Sequence, residues 1–156
     1  MPDSGATSVG VHPTREYTSF VLAKVCKAHR AYVDALLDEH GLHVGQEMVL
    51  LELWQEDGLR ARELAVRLGV EPPTVTKMLR RLERCGLVER CQDPADARSF
   101  RIHLTEKGRA LEEPVARCWA QTEQTALAGL SAGERRTFRK LLSRVRNNLD
   151  PGFRAD

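Results

Sequence analysis

From Tyr17 onward, apolar or small residues return every three or four positions: Tyr17, Val21, Val25, Ala28, Tyr32 and Ala35. That spacing predicts a long amphipathic helix ending near Gly41, with a narrow seam that packs on another helix, in the chain or from a partner. Ahead of it, residues 1–13 are small, polar and interrupted by Gly and Pro, which predicts a loose arm. A second helix is predicted from Val44 to Glu56, with Met48, Leu51 and Trp54 on its apolar side and Asp57-Gly58 stopping it. Arg62 to Leu68 reads as a short helix closed by Gly69. Pro72 and Pro73 suit a first helical turn, whose amides need no intrahelical partner, and they open a helix that runs to about Cys85 and ends at Gly86.

The period then changes. Leu87 to Cys91 and Ser99 to Leu104 alternate in strand fashion, separated by the turn-rich stretch from Gln92 to Ala97, and predict a hairpin with a polar tip. Thr105 caps a long helix through about Ala128, broken or bent near Pro114, and Ser131 with Glu134 forms a capping box for a last helix. In that helix Phe138, Leu141, Leu142, Val145 and Leu149 make one continuous apolar face. The predicted divisions are an arm at 1–13, a helix in 14–42, a module at 43–104, two helices in 105–150 and a tail at 151–156. Two short helices joined by a tight turn and followed by a hairpin are the order of a winged helix-turn-helix, so the expected fold is mainly α with a small β-hairpin wing.

Composition narrows the class further. The 156 residues suffice for one core without metal or disulfide staples. No apolar run reaches the roughly 18 residues of a spanning helix, and the N-terminus lacks a signal-peptide pattern, so no membrane association and a cytoplasmic location are expected. The net charge of +2 is unevenly placed: residues 60–101 carry +4 and the rest −2. A basic middle held by mildly acidic flanks suits a nucleic-acid reader.

The helix from Pro72 carries the chemistry. On a wheel of about 100° per residue, Met78, Leu79 and Leu82 cluster around Val75, while Lys77, Arg80, Arg81 and Arg84 lie on the opposite side. A basic face alone is often only a solvated surface. Here Thr74 and Thr76 stand at the same helix's N-terminal end, where hydroxyls reach phosphates or base edges, and Arg can pair bidentately with guanine. At the hairpin tip, Asp96 is placed to brace the guanidinium of Arg98 as it enters a narrow minor groove. Double-stranded DNA is therefore the expected partner.

The stretch from Arg62 to Gly108 resembles the multiple antibiotic resistance regulator (MarR) family through ELA followed by LGV, TVTKMLRRLE, GLVER, DPADAR and LTEKG in order. The resemblance implies an obligate homodimer, with the first helix and the last two forming a helical dimerisation frame around two winged modules. It implies a repressor on a pseudo-palindromic operator, released by a small organic, often aromatic, effector or by thiol oxidation. By position, Thr74, Thr76, Lys77, Arg80 and Arg81 take the recognition role and Arg98 the wing role; Arg62, Pro73, Asp96 and Ser99 complete the expected interface. The sequence departs from the family pattern at Arg60-Ala61, where a Ser or Thr cap is common, and at Ala97 between the wing charges.

The family's ligand cavity, between frame and module, implies Tyr32, Leu51, Trp54 and Trp119 as pocket residues. Cys26, beside Lys24, Lys27 and His29, is the candidate for redox control, although Ser19 stands near where the peroxide-sensing branch carries its cysteine. Cys26, Cys85, Cys91 and Cys118 have no CxxC spacing and read as reduced thiols. Cys26 and His29 with His40 and His43 do not complete a zinc set, so neither metal nor cofactor is expected. His103 reads as a hairpin residue. Neither a nucleophile elbow nor a phosphate-binding glycine loop is present, and no enzyme is expected. The remaining alternative is a winged-helix protein-interaction module without DNA binding.

Overall fold

The computed structural model describes residues 12–150. The predicted tail at 151–156, and the predicted arm up to residue 11, lie outside the described residues. A single 3₁₀ turn, Pro13–Glu16, leads into α1, Thr18–Asp38. Then follow α2 (Gln46–Gln55), β1 (Leu59–Arg60), α3 (Ala61–Leu68), α4 (Pro72–Arg84), β2 (Val88–Asp93), β3 (Asp96–Leu104), α5 (Glu106–Ala110), α6 (Glu112–Ala126) and α7 (Ala132–Leu149). No helix among the described residues is long and apolar enough to cross a membrane.

The lower half of α1 enters the core through Val33 and Leu37, which pack with Leu42, Leu50, Leu53, Leu64, Leu79, Leu82 and Val115. Its upper half does not: Tyr17, Phe20, Val21 and Val25 of the N-terminal segment are exposed. In α2 the buried stripe is Gln46, Val49, Leu50 and Leu53, and Met48 and Leu51 are 40% and 37% exposed. This corrects the expected face at Met48 and Leu51, while Trp54 is half-buried against the core. The stripe has the i, i+3, i+4, i+7 spacing of a helix face, but its first member is polar and hides the pattern.

The sheet has three antiparallel strands in the order β1-β3-β2, one more than the predicted hairpin. Leu59 pairs with Ile102 and Arg60 with Arg101; two residues are too few for alternation to show in a sequence. The β2–β3 ladder runs from Val88 opposite Leu104 to Asp93 opposite Asp96, with an irregularity at Gln92/Asp93, so the six-residue turn shrinks to Pro94-Ala95. Asp93 Oδ1 makes this tight turn by accepting the Ala95 N–H at 2.9 Å.

The long helix predicted after Thr105 breaks at Leu111, between α5 and α6. Pro114 has no amide to offer the carbonyl of Ala110, and its ring crowds that carbonyl, so α5 stops there. Gly108 is buried where α5 crosses the chain, and a Cβ at this position would overlap the carbonyl oxygen of Leu87. The indole of Trp54 donates to the Gly108 carbonyl at 3.1 Å, which ties α2 to the same crossing. Ser131 and Glu134 form the predicted capping box at the start of α7, with the Ser131 N–H donating to Glu134 Oε2 at 2.8 Å. No residue of α7 is buried, and Phe138, Leu141, Leu142, Val145 and Leu149 all remain exposed.

Candidate nucleic-acid interface

In α4, Val75, Leu79 and Leu82 are fully buried, which fixes the rotation of the helix on the core. The opposite face then points outward by geometry alone. Pro73, Thr74, Lys77, Arg80, Arg81 and Arg84 are exposed. Thr76 is half-buried, and its hydroxyl donates to the Pro72 carbonyl at 3.0 Å, which leaves its oxygen free only as an acceptor. Arg62 is exposed on α3, the preceding helix of the motif. The missing Ser/Thr cap of α3 is partly made good: Glu63 Oε2 accepts the Arg60 N–H at 2.7 Å.

On the wing, Asp96 and Arg98 are exposed and Ser99 is half-buried, its hydroxyl donating to the Asp96 carbonyl at 3.2 Å. Asp96 does not brace the Arg98 guanidinium. Its Oδ1 accepts the backbone N–H of Arg98 at 3.0 Å instead, because two residues of separation bring the carboxylate to the main chain before the long side chain. The carboxylate that holds guanidinium groups is Asp93, only 2% exposed. Arg60 donates to its Oδ2 from Nε at 2.8 Å and from Nη2 at 2.6 Å, and Arg101 Nε lies 3.2 Å from the same oxygen. The Ala95 amide, the Arg60 hydrogen bonds and the charge of Arg101 hold the Asp93 carboxyl at a pKa of about 2. Sequence reasoning counted Asp93 only as a turn residue; the Asp-Pro step was the available signal.

The basic residues thus fall into two groups. Arg60 and Arg101 pair with Asp93, Arg67 with Glu52 and Glu56, Arg90 with Glu83 at 2.6 Å, and Arg109 with Asp57 at 2.7 Å. Asp57 also accepts the Leu104 N–H at 2.9 Å and lies 3.3 Å from His103, a half-buried hairpin residue. Although burial opposes its charge, these donors hold the Asp57 carboxyl below the usual carboxylate range. Among the described residues, Arg62, Lys77, Arg80, Arg81, Arg84 and Arg98 have no carboxylate partner and are all exposed. The paired cations build the module, and the unpaired ones cover α4, the start of α3 and the wing.

Residues 42–100, the helix-turn-helix and most of the wing, match the model of the MarR family. The HTH-type transcriptional repressor Rv2887 of Mycobacterium tuberculosis is 32% identical over 126 residues, covering 81% of this chain and 91% of that protein. The chain belongs to the MarR family. The HTH-type transcriptional regulator TtmR of Methylorubrum extorquens is 39% identical over 120 residues, 77% of this chain, although the match spans only 60% of that longer protein. The S. aureus MepR–DNA complex superimposes with a TM-score of 0.77 at 27% identity, covering 89% of this chain and all of the other. These MarR relatives are transcriptional regulators and not enzymes.

The residues expected to line a MarR ligand pocket do not behave alike. Tyr32 is half-buried, and its hydroxyl lies 3.0 Å from Thr125 Oγ1, joining α1 to α6. Leu51 faces outward, and the indole N–H of Trp54 is taken by Gly108. Trp119 packs its ring against His29 at 5.9 Å, and its buried Nε1 has no hydrogen-bond partner. Cys26, Cys85 and Cys91 are exposed; Cys118 is buried, and burial raises its thiol pKa. Among the described residues no three His, Cys, Asp or Glu side chains come together as a metal site.

Proposed function

We propose that this MarR-family chain is a homodimeric, cytoplasmic repressor that grips a pseudo-palindromic operator and is released by a small aromatic ligand. The observation that carries the reading is the sorting of cations. Lys77, Arg80, Arg81 and Arg84 stand unpaired along the outward face of α4, which is dressed for phosphates and base edges, while the arginines behind it are neutralised. Thr74 and Lys77, near the N-terminal end of α4, enter the major groove most deeply, and Arg98 reaches the minor groove from the wing. Asp93, through Arg60, ties the wing to the start of α3.

Two apolar faces support the dimer. Tyr17, Phe20, Val21 and Val25 around the start of α1, and Phe138, Leu141, Leu142, Val145 and Leu149 on α7, remain exposed among the described residues. Large apolar side chains left exposed along two helices support an interface there. The relative from M. tuberculosis carries the name of a repressor, and MepR was crystallised on DNA. The ligand reading rests on Trp119: a buried indole N–H without an acceptor, between α1 and α6, is completed by a carboxylate or carbonyl beneath an aromatic ring. Fluorescence anisotropy on the DNA upstream of the chain's own gene tests the reading. Binding as a dimer, steeply weakened by salt, is the expected result; a dimer that ignores all DNA at low salt leaves the protein-interaction module in its place.

A further inference from the structure

A recess of about 480 Å³ lies where the connection between α1 and α2 meets the C-terminal end of α4, lined by Gly41, His43, Gln46, Arg81, Arg84 and Cys85. Three of its lining side chains, those of Gln46, Arg81 and Arg84, carry N–H donors. Gln46 is only 6% exposed; its Oε1 accepts the His43 N–H at 2.8 Å, and its Nε2 has no protein partner. The amide nitrogen, reached by solvent, leaves two N–H groups for whatever enters the recess. The guanidinium groups of Arg81 and Arg84 have no carboxylate partner.

Asp34 and Glu47, the acids that hold this corner, do not line the recess. Asp34 Oδ1 accepts the Val44 N–H at 2.9 Å and lies 3.7 Å from His43 Nδ1, and Glu47 Oε2 accepts the Gly45 N–H at 2.6 Å. The two carboxylates of this corner are therefore spent on the backbone that shapes the entry to α2, and neither neutralises the arginines. Two planar guanidinium forks and an amide donor around a small-molecule-sized space match oxyanions carried close together.

We propose that this recess binds a small polyanion carrying two or more carboxylate or phosphate groups, held by Arg81, Arg84 and the Gln46 side-chain amide. Because Arg81 also stands on the outward face of α4, an anion seated there withdraws positive charge from the surface assigned to DNA. That consequence rests on the DNA-binding reading; the site itself does not. The same oxyanion chemistry is offered by a backbone phosphate of the operator, and the experiment separates the two sources.

The full-length protein, free of DNA, is titrated calorimetrically with citrate and with pyrophosphate at constant ionic strength, and operator affinity is measured in parallel. One anion per chain is expected, weakened about tenfold or more by Arg84→Gln and by Gln46→Glu, which keeps the shape of the side chain and removes the donor. Lys140→Gln on α7 removes a distant positive charge and leaves the titration unchanged. If neither anion binds the free protein but both recess variants weaken the operator complex, the oxyanion is the operator's own phosphate. If neither titration nor operator affinity responds to the recess variants, or if Lys140→Gln weakens anion binding as much as they do, the assignment is overturned. Anion binding by a protein that ignores DNA leaves the site standing and removes only the DNA reading.

Discussion

Arg60 donates two hydrogen bonds to one oxygen of Asp93, although 33 residues separate them. Arg60 is the N-cap of α3 and half of β1, while Asp93 makes the turn of the wing, so one carboxylate ties the first helix of the motif to the hairpin tip. The same contact makes the module sensitive to acid. A carboxyl whose folded pKa is depressed stabilises the fold fully above its unfolded value, about 4, and this stabilisation is lost as pH falls through about 2. Thermal melts between pH 5 and 2 are expected to fall more steeply for the native chain than for Asp93→Asn, which starts lower and lacks this limb. Parallel curves would assign the acid response to other carboxylates.

The core under α4 and the crossing at α5 fail for different reasons when altered. Leu79→Ala opens a cavity at a fully buried site and should cost about 2–5 kcal/mol in denaturant unfolding. Gly108→Ala adds a single methyl group but drives it into the Leu87 backbone, which cannot rotate away as a side chain would. A loss of about 3 kcal/mol or more is expected.

DNA reading divides between helix and wing. Arg98→Ala should weaken operator binding broadly, by about 1–3 kcal/mol, and lower the salt slope by about one phosphate-equivalent. Lys77→Ala should instead change which operator variants are tolerated, because it stands where α4 enters the groove. Half-sites should lie about 10 bp apart, centre to centre. Anisotropy titrations at several salt concentrations check all three; an Arg98→Ala complex with unchanged affinity and slope would remove the wing from the interface.

Assembly is tested on α7. Leu142→Asp places an unpaired carboxylate in the apolar face without touching the core, since α7 contributes no buried residue to it. Light scattering is expected to report a monomer at micromolar concentration with helical circular dichroism retained, and operator binding should be lost with the dimer. A variant that stays dimeric would put the subunit contact elsewhere.

Most of the fold was legible where one signal dominated. The cap and box residues Thr105, Ser131 and Glu134, the prolines opening α4 and the alternation in β2 and β3 act through adjacent backbone, so sequence spacing carries them. The face of α2 was misread because Gln46 and Glu47 are buried, and hydrophobicity does not mark a buried polar group held by hydrogen bonds. The cations on α4 and the wing were named correctly as exposed residues of those elements. The brace was assigned to Asp96 because it is near Arg98 in sequence, whereas the partners of Asp93 come from 33 residues before it and 8 after. Long-range pairing of that kind has no local signature.

The break at Leu111 gives the molecule two pieces of unequal stiffness. α5 is pressed onto the Leu87 backbone at Gly108 and tied to α2 by the Trp54 indole. Beyond it, Pro114 has no N–H for the Ala110 carbonyl, and the ladder resumes with the Val115 N–H donating to the Leu111 carbonyl at 3.0 Å. Val115, one residue past the proline, is nonetheless buried in the core with Leu79 and Leu82 of α4. A displacement of α6 thus reaches α4 through the packing of that side chain, on the far side of the break from α5.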